Sequence, residues 1–420
     1  MTDLPVSVVV VSRGRPRSLT RTLKGISQLQ YWNFEVIVVA DPAGIEAAQT
    51  LDFSENLKLI PFDVPNISVA RNMGLTRAAG EIVAFIDDDA VPEPMWLHYL
   101  IAPFERSDIA ATGGFVRGRN GISFQWKAAS LDTNGIAHPM TVNSEQATVF
   151  TPPKGYAVKT EGTNMAFRRD VLIDLNGFDP AFHYFLDETD LNMRLARAGH
   201  ATALVPLAEV HHGYAENASR SADRVPKDLV DIGASWAVFQ RKHIAVGSRK
   251  THWQERRNEQ SRRLLGFLQS GQLEPRDVRR LAKGLDAGYA QGGLRQLGGA
   301  SLPRYSSGPF WRFPSRHRET IMIVSRPAHA AADRQRAREK VSEGKIVTLL
   351  VLSPTALFHK LTFDSAGFWV QKGGLFGKVE RSEPIFTVCS RNYRARRETI
   401  RVARQRGFER KNSKFSPQSL

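Results

Sequence analysis

Residues 81–94 read EIVAFIDDDAVPEP. Ile82–Ile86 is an apolar run of buried-strand length, and it delivers the chain to Asp87, Asp88 and Asp89 ahead of a proline-rich turn. Like charges this close repel, so ionising all three is costly without a compensating cation. A hard divalent cation relieves the repulsion. Carboxylate oxygens suit Mg²⁺ or Mn²⁺, and Mg²⁺ keeps part of its shell for water and phosphate. An acidic turn capping the next helix would also produce three aspartates, so the surroundings decide.

Working toward the N-terminus, Asn66–Ala79 has the pattern of a helix and EVIVVA, Glu35–Ala40, that of a second buried strand ending at Asp41. Leu19, Leu23 and Ile26 stand at helical spacing within about Ser18–Leu29. Val6–Val11 is a β-branched run suited to a parallel strand, broken by SRGRPRS from Ser12. Strand, helix, strand, helix, strand predicts crossover connections and a Rossmann-like, doubly wound α/β sheet. Ligands of such sheets bind beyond the carboxyl ends of the strands. Ser12–Arg15, Asp41 and Asp87–Asp89 all fall there, so the carboxylates are expected at the mouth of a ligand crevice. No G-x-x-x-x-G-K-[ST] loop and no strand-linked G-x-G-x-x-G occurs, which weakens the NTPase, kinase and dehydrogenase readings.

A second acidic cluster lies in 161–200. Asn176–Asp179 reads as a turn, and a helix is expected from Leu186 with Asp187 and Glu188 in its first turn. Acids there complement the helix dipole, and they are equally candidates for a carboxylate general base. Asp190 and Arg194 are spaced to pair on one face.

Taken together, the segments SVVVVSRGRPRSLTRTLKGI, EVIVVAD, VARNMGLTRAAGEIVAFIDDDAVPEPMWL, GTNMAFRRDVLIDLNGFDPAF and DETDLNMRLARAGH before HHGYAENASR resemble the family 2 glycosyltransferases. The resemblance covers about residues 5–245 and implies inverting transfer on a GT-A fold. It implies that Asp41 holds the nucleotide base, that Asp87 lies near the ribose and that Asp89 ligates a metal on the donor diphosphate. Asp87 and Asp89 match the family's D-x-D, and either His211 or His212 matches a late histidine completing the metal site. Ser12, Arg13, Arg15, Arg71 and Asp88 are implied on the donor side and Asn164 on the acceptor side. The base falls on Asp187 or Glu188, where the family's usual Glu-Asp is inverted. Ala40-Asp41-Pro42 also departs from the family's more frequent Asp-Gly or Asp-Asp-Gly/Ser.

The 420 residues are 42% hydrophobic, enough for two or three domains. The expected division is a nucleotide-sugar-binding catalytic domain over 1–245 and a basic region over 246–420, with helices to about 298, a linker over 299–320 and a small α+β part from 321. A helix is expected at Leu229–Ile244, and the basic region should hold a strand at Lys345–Leu352, a hairpin or small sheet in LTFDSAGFWVQKGGLFGKVERSEPIFTV and an arginine-rich helix at Arg391–Arg410. Residues 1–240 carry 21 Lys+Arg and 28 Asp+Glu, a net of −7, and residues 241–420 carry 37 and 14, a net of +23. The basic half is expected to meet something anionic. Trp311 and Phe313, among Arg304, Arg312, Arg316, Arg318 and Arg326, have the composition of a segment in peripheral contact with an anionic membrane. No nucleic-acid-binding motif is recognised.

Cys389 is the single cysteine, which excludes an internal disulfide and fits a reducing compartment. No apolar run approaches the roughly 18–20 residues that span a bilayer, and Val6–Val11 is too short for a signal h-region. The expectation is a cytoplasmic chain, peripheral at the inner face of the cell membrane where it attaches. Its activity is read as metal-dependent transfer of a sugar from a nucleoside-diphosphate donor to a glycan or lipid-linked acceptor. A Mg²⁺-dependent nucleotidyltransferase and a non-catalytic binder of anionic surfaces or partners are the alternatives.

Overall fold

The computed structural model describes residues 3–213, 216, 219–221 and 223–408. Tyr214, Ala215, Asn217 and Ala218 of the HHGYAENASR segment lie outside them, as do residues 409 and 410 of the expected last helix.

The first strands and helices are β1 (Val6–Ser12), α1 (Pro16–Ile26), β2 (Phe34–Ala40), α2 (Pro42–Gln49), β3 (Leu57–Pro61), α3 (Ile67–Arg77) and β4 (Ile82–Asp87), followed by the short β5 (Ala90–Pro92). Proline opens α1 and α2 at the position where its missing N–H costs nothing. β1 lies between β2 and β4, parallel to both, and all three are buried almost throughout. The acid-tipped strand is therefore fourth along the chain rather than third. LKLIP, with Lys58 inside it, does not read as a buried run. As an edge strand parallel to β2 it needs only one covered face.

The chain continues through α4 (Trp96–Ile101), β6 (Ile109–Arg117), β7 (Phe124–Trp126), β8 (Ala129–Leu131), β9 (Ala137–Pro139), β10 (Thr148–Phe150), β11 (Ala157–Lys159), β12 (Met165–Arg168), α5 (Arg169–Asp174), α6 (Asp187–Arg197), β13 (Ala201–His212) and α7 (Val230–His243). Among the described residues the main sheet runs β10-β13-β6-β12-β4-β1-β2-β3, and β12 is antiparallel to both neighbours. One apolar layer packs Leu19, Leu23, Trp96 and Leu100 on the sheet, and the other packs Leu75, Leu172, Leu191 and Leu195. Helices on both faces give the expected doubly wound α/β architecture.

Beyond α7 come α8 (Arg249–Gln269) and α9 (Pro275–Leu294). A Cβ at Gly288 would lie 1.9 Å from the Val230 carbonyl, and one at Gly292 would lie 2.2 Å from that of Ala234. The small residues let α9 touch α7 backbone to backbone. Residues 295–319 form no helix or strand and run as a strap along the α/β layer. Phe313 N–H donates to Phe34 O at 2.7 Å, and the ring is buried between Phe34 and Phe53. The expectation that Phe313 is an insertable surface ring is thereby corrected: it is a core residue of the first half. Arg312 lies over Trp32, 4.6 Å from the ring centroid.

The last part contains β14 (Thr320–Ser325), α10 (Ala330–Ser342), β15 (Ile346–Ser353), β16 (Lys360–Phe363), β17 (Trp369–Gly374) and α11 (Arg391–Arg406). The order is β14-β15-β17-β16, with β14, β15 and β17 parallel and β16 closing the expected hairpin. The small α+β part is thus built around a β-α-β crossover, whose β14 and α10 the sequence did not disclose. Leu361, Phe363, Trp369 and Val379 bury themselves against Val91 and Ile122 of the first half.

Candidate active site

Strand register gathers the polar ends. Ser12 pairs with Ala40, and Val11 pairs with Asp87, so the turns after β1, β2 and β4 open on one edge of the sheet. Gly14 takes the left-handed conformation, φ 71°, in the first turn. Asp41 caps α2 by accepting from Gly44 N at 3.0 Å, and its second oxygen accepts from Gly14 N at 2.9 Å. Its first task is to join the two turns.

Arg13 reaches outward to Asp63 at 2.8 Å, whereas Arg15 turns inward, 2.5 Å from Asp88 and 3.3 Å from Asp89. Asp88 is fully buried and accepts from Ser12 Oγ at 2.6 Å. Burial pushes its carboxyl up to about 7 against the pull of Arg15. Ser12 and Asp88 therefore brace the loop from beneath the crevice. Asn164 is also fully buried. It accepts from Trp96 Nε1 at 2.8 Å and donates to Phe115 O and Ala208 O at 2.9 and 2.8 Å, which makes it a strut between strands, out of an acceptor's reach.

Asp87, Asp89 and His212 each bring a ligand atom within 4.8 Å of the others. His212 Nε2 is 3.1 Å from Asp89 Oδ1, and Nδ1 is 3.0 Å from Gln125 Oε1. An amide oxygen can only accept, so it holds a proton on Nδ1 and directs Nε2 to the carboxylates. Burial opposes protonation of His212, but the hydrogen bond and charge of Asp89 outweigh it and raise its pKa. A cation at this point would take the place of the shared proton. Two carboxylates and an imidazole fit Mn²⁺ or Mg²⁺, and the imidazole suits Mn²⁺ better.

The neighbouring His211 leaves this group because successive strand side chains point to opposite faces. Its Nε2 is 2.8 Å from Glu93, and its ring is 4.6 Å from Trp369. Burial opposes ionisation of Glu93, yet Arg406 and His211 hold it well below the usual carboxylate range.

The second cluster starts at the expected helix. Phe185 and Leu186 precede it with φ of 70° and 67°, a strained pair for non-glycine residues. Asp187 is buried and ion-paired with Arg71 Nη1, while Arg71 Nη2 lies 3.6 Å from Asp87 and 3.3 Å from Gly162 O. One guanidinium from α3 thus bridges both acidic clusters. Burial first, then the adjacent Glu188 charge, push Asp187 up to about 7 against Arg71. Glu188 is only half-buried. Beside it lies Glu161, raised by burial and by Glu188, with Lys159 Nζ at 2.8 Å. The Asp190–Arg194 pair forms at 2.8 Å, and Lys242 and His243 join it.

Glu161, Lys159 and Gln125 belong to the site without having been singled out from the sequence. Each is an isolated polar residue outside any acidic run, and its role depends on strand pairing. Glu161 is placed by an antiparallel bridge to Asn164.

Residues 4–229 match the family described as Glycosyltransferase like family 2. The O-antigen biosynthesis protein RfbC of Myxococcus xanthus is 28% identical over 253 residues, covering 56% of this chain and 19% of that protein. The glucosyl-dolichyl phosphate glucuronosyltransferase of Haloferax volcanii is 27% identical over 183 residues, covering 42% of this chain and 56% of that protein. The chain therefore matches only about a fifth of the length of one relative and just over half of the other. Among solved structures, a mannosyltransferase of Pyrobaculum calidifontis in complex with GDP-Man and Mn²⁺ aligns with a TM-score of 0.37 at 15% identity, over 69% of this chain and 71% of that one. Among the described residues no helix is long and apolar enough to cross a membrane. With its family match running through both acidic clusters, the chain belongs to the glycosyltransferase-like family 2.

Proposed function

We propose that this chain is an inverting, metal-dependent glycosyltransferase that moves a sugar from a nucleoside diphosphate to a hydroxyl of a glycan or lipid-linked acceptor. The observation that carries the reading is Arg71, whose guanidinium spans Asp87 and Asp187. It joins an acid–histidine group suited to a metal–diphosphate to an acid pair suited to a base. Asp87, Asp89 and His212 would hold the metal, which when bound neutralises charge on the leaving diphosphate. Arg15 supplies further positive charge at the same turn.

Glu188 is the favoured base: it is the more exposed of the pair, while Asp187 is engaged by Arg71. The acceptor hydroxyl gives its proton to the carboxylate as the new C–O bond forms. The anomeric carbon's bond to the diphosphate oxygen breaks on the opposite side, and the electron pair leaves with the diphosphate. Such an acceptor would connect with the glycan names of the relatives, one an O-antigen biosynthesis protein and one acting on a dolichyl phosphate sugar.

The test is incubation of the purified protein with Mn²⁺ and a panel of UDP-, GDP- and dTDP-sugars, followed by detection of released nucleoside diphosphate. At least one donor should be turned over, and Asp89→Ala should abolish Mn²⁺-dependent nucleotide binding in calorimetry while leaving the fold intact. Nucleotide binding by Asp89→Ala that matches the parent with and without Mn²⁺ would remove the metal from the scheme.

A further inference from the structure

The second half carries a group of largely exposed apolar side chains. Leu357 and Phe358 stand between β15 and β16, and Ile385, Phe386 and Val388 stand between β17 and α11, each more than half exposed. The two loops lie side by side. Gly374 N–H donates to Leu357 O at 2.8 Å, His359 N–H donates to Lys378 O at 3.2 Å, and Gly377 bridges to Phe386. Phe376 and Phe386 sit with ring centroids 5.4 Å apart. A contiguous exposed apolar surface of this kind marks an interaction site.

Its rim is mainly cationic: Glu380 and Glu383 share the second loop, but Glu383 is engaged by Arg397 at 2.6 Å. Lys360 and Lys372 are exposed and directly opposite each other across the β16–β17 hairpin. Like charges paired in this way are destabilising in isolation. Lys378 Nζ lies 4.9 Å from the centroid of Phe358, and Arg381 is exposed on the same loop as Phe386.

We infer that this face docks on an anionic lipid bilayer, inserting Phe358, Ile385 and Phe386 between headgroups that neutralise Lys360, Lys372 and Lys378. The occupant follows from the combination. A second copy would double the cations of Lys360, Lys372 and Lys378 in one interface, while Glu383 of the same loop is already held by Arg397 and by Val379 N–H. A nucleic acid would answer the charges but give Leu357, Ile385 and Val388 nothing apolar to enter. An acidic leaflet answers both, as interfacial segments with rings and cations do. In the strap Phe313 is buried, which leaves Trp311 as the exposed ring of that pair.

Membrane attachment here is independent of the catalytic reading and can be measured on the full chain. The probes are vesicles of phosphatidylcholine alone and vesicles of phosphatidylcholine mixed with phosphatidylglycerol, read by sedimentation. The parent should pellet with the anionic vesicles, stay in solution with the neutral ones, and be released as salt approaches about 1 M, where the Debye length falls to about 3 Å. Lys360→Gln/Lys372→Gln/Lys378→Gln should lower the partition coefficient about a hundredfold, roughly fivefold for each cation near the surface. Phe358→Ser/Ile385→Ser/Phe386→Ser should lower it as well, with circular dichroism establishing that it folds; if it does not, the lysine variant decides. Three results would each overturn the assignment: no pelleting, equal pelleting with both vesicle types, or parent-like pelleting of the folded variants. A parent dimer in light scattering that these substitutions dissociate would overturn it too, by making a second copy the occupant.

Discussion

Arg406→Ala tests how the last helix supports the catalytic layer. The Arg406 guanidinium is fully buried, with Nε and Nη2 at 2.9 and 3.0 Å from the two oxygens of Glu93 and Nη1 at 2.7 Å from Thr348 Oγ1. Its Cζ also lies 4.5 Å from the Trp369 ring centroid. Removing it leaves Glu93, itself buried, with His211 alone as side-chain partner. Breaking a buried pair in this way costs about 3–5 kcal/mol, because the surviving charge is uncompensated. Glu93 stands just beyond Asp89, and His211 adjoins His212, so the loss falls on the back wall of the metal group.

Denaturant unfolding at neutral pH should show that deficit. The double variant Arg406→Met/Glu93→Leu should recover most of it, since replacing a whole buried pair by apolar groups is often neutral. The sign with pH follows from the depressed pKa of Glu93. Its stabilisation is present above the unfolded value of about 4.5 and is lost as pH falls through the folded value, so parent and Arg406→Ala should converge on acidification. A deficit under about 1 kcal/mol, or a double variant no better than the single, would refute the reasoning.

Glu188→Gln should keep donor affinity in calorimetry and lose transfer by roughly 10²–10⁴-fold, the share of general-base catalysis; loss on Asp187→Asn with Glu188→Gln active would move the base to its neighbour. Because Asp187 is pushed up to about 7 by burial, transfer should rise as pH increases through about 7 and Asp187 gives up its proton to complete the ion pair with Arg71 beside the base. Stability should move the opposite way: a carboxyl raised in the fold contributes most below its unfolded value, and that contribution is lost as pH rises through about 7. Phe313→Ala should destabilise by about 3–5 kcal/mol, as for a buried aromatic, without altering vesicle binding. Parent-like unfolding of that variant would mean the strap is not anchored by its ring.

What the sequence determined by itself is local. β-branched runs such as Val6–Val11 and Glu35–Ala40 have the length and composition of buried strands, and their alternation with helices implies crossovers. Asp87–Asp89 and Asp187–Glu188 are legible because each is a dense acidic run at an element's end, where polar groups crowd only for a reason. Leu57–Pro61 and Thr320–Ser325 were not legible, since short strands half-covered or interrupted by a charge lack a distinct period. The tertiary structure alone decided the rest. His211 and His212 are chemically identical neighbours, and only strand pairing sends one to Asp89 and the other to Glu93. Arg71 joins acids 16 and 116 positions away, and Arg406 meets Glu93 across 313. Phe313 has the composition of a surface ring beside arginines, yet Phe34 and Phe53 enclose it. Periodicity and propensity carry information over a turn or a strand, whereas such partners are chosen by packing between elements that the chain brings together only when the sheet has formed.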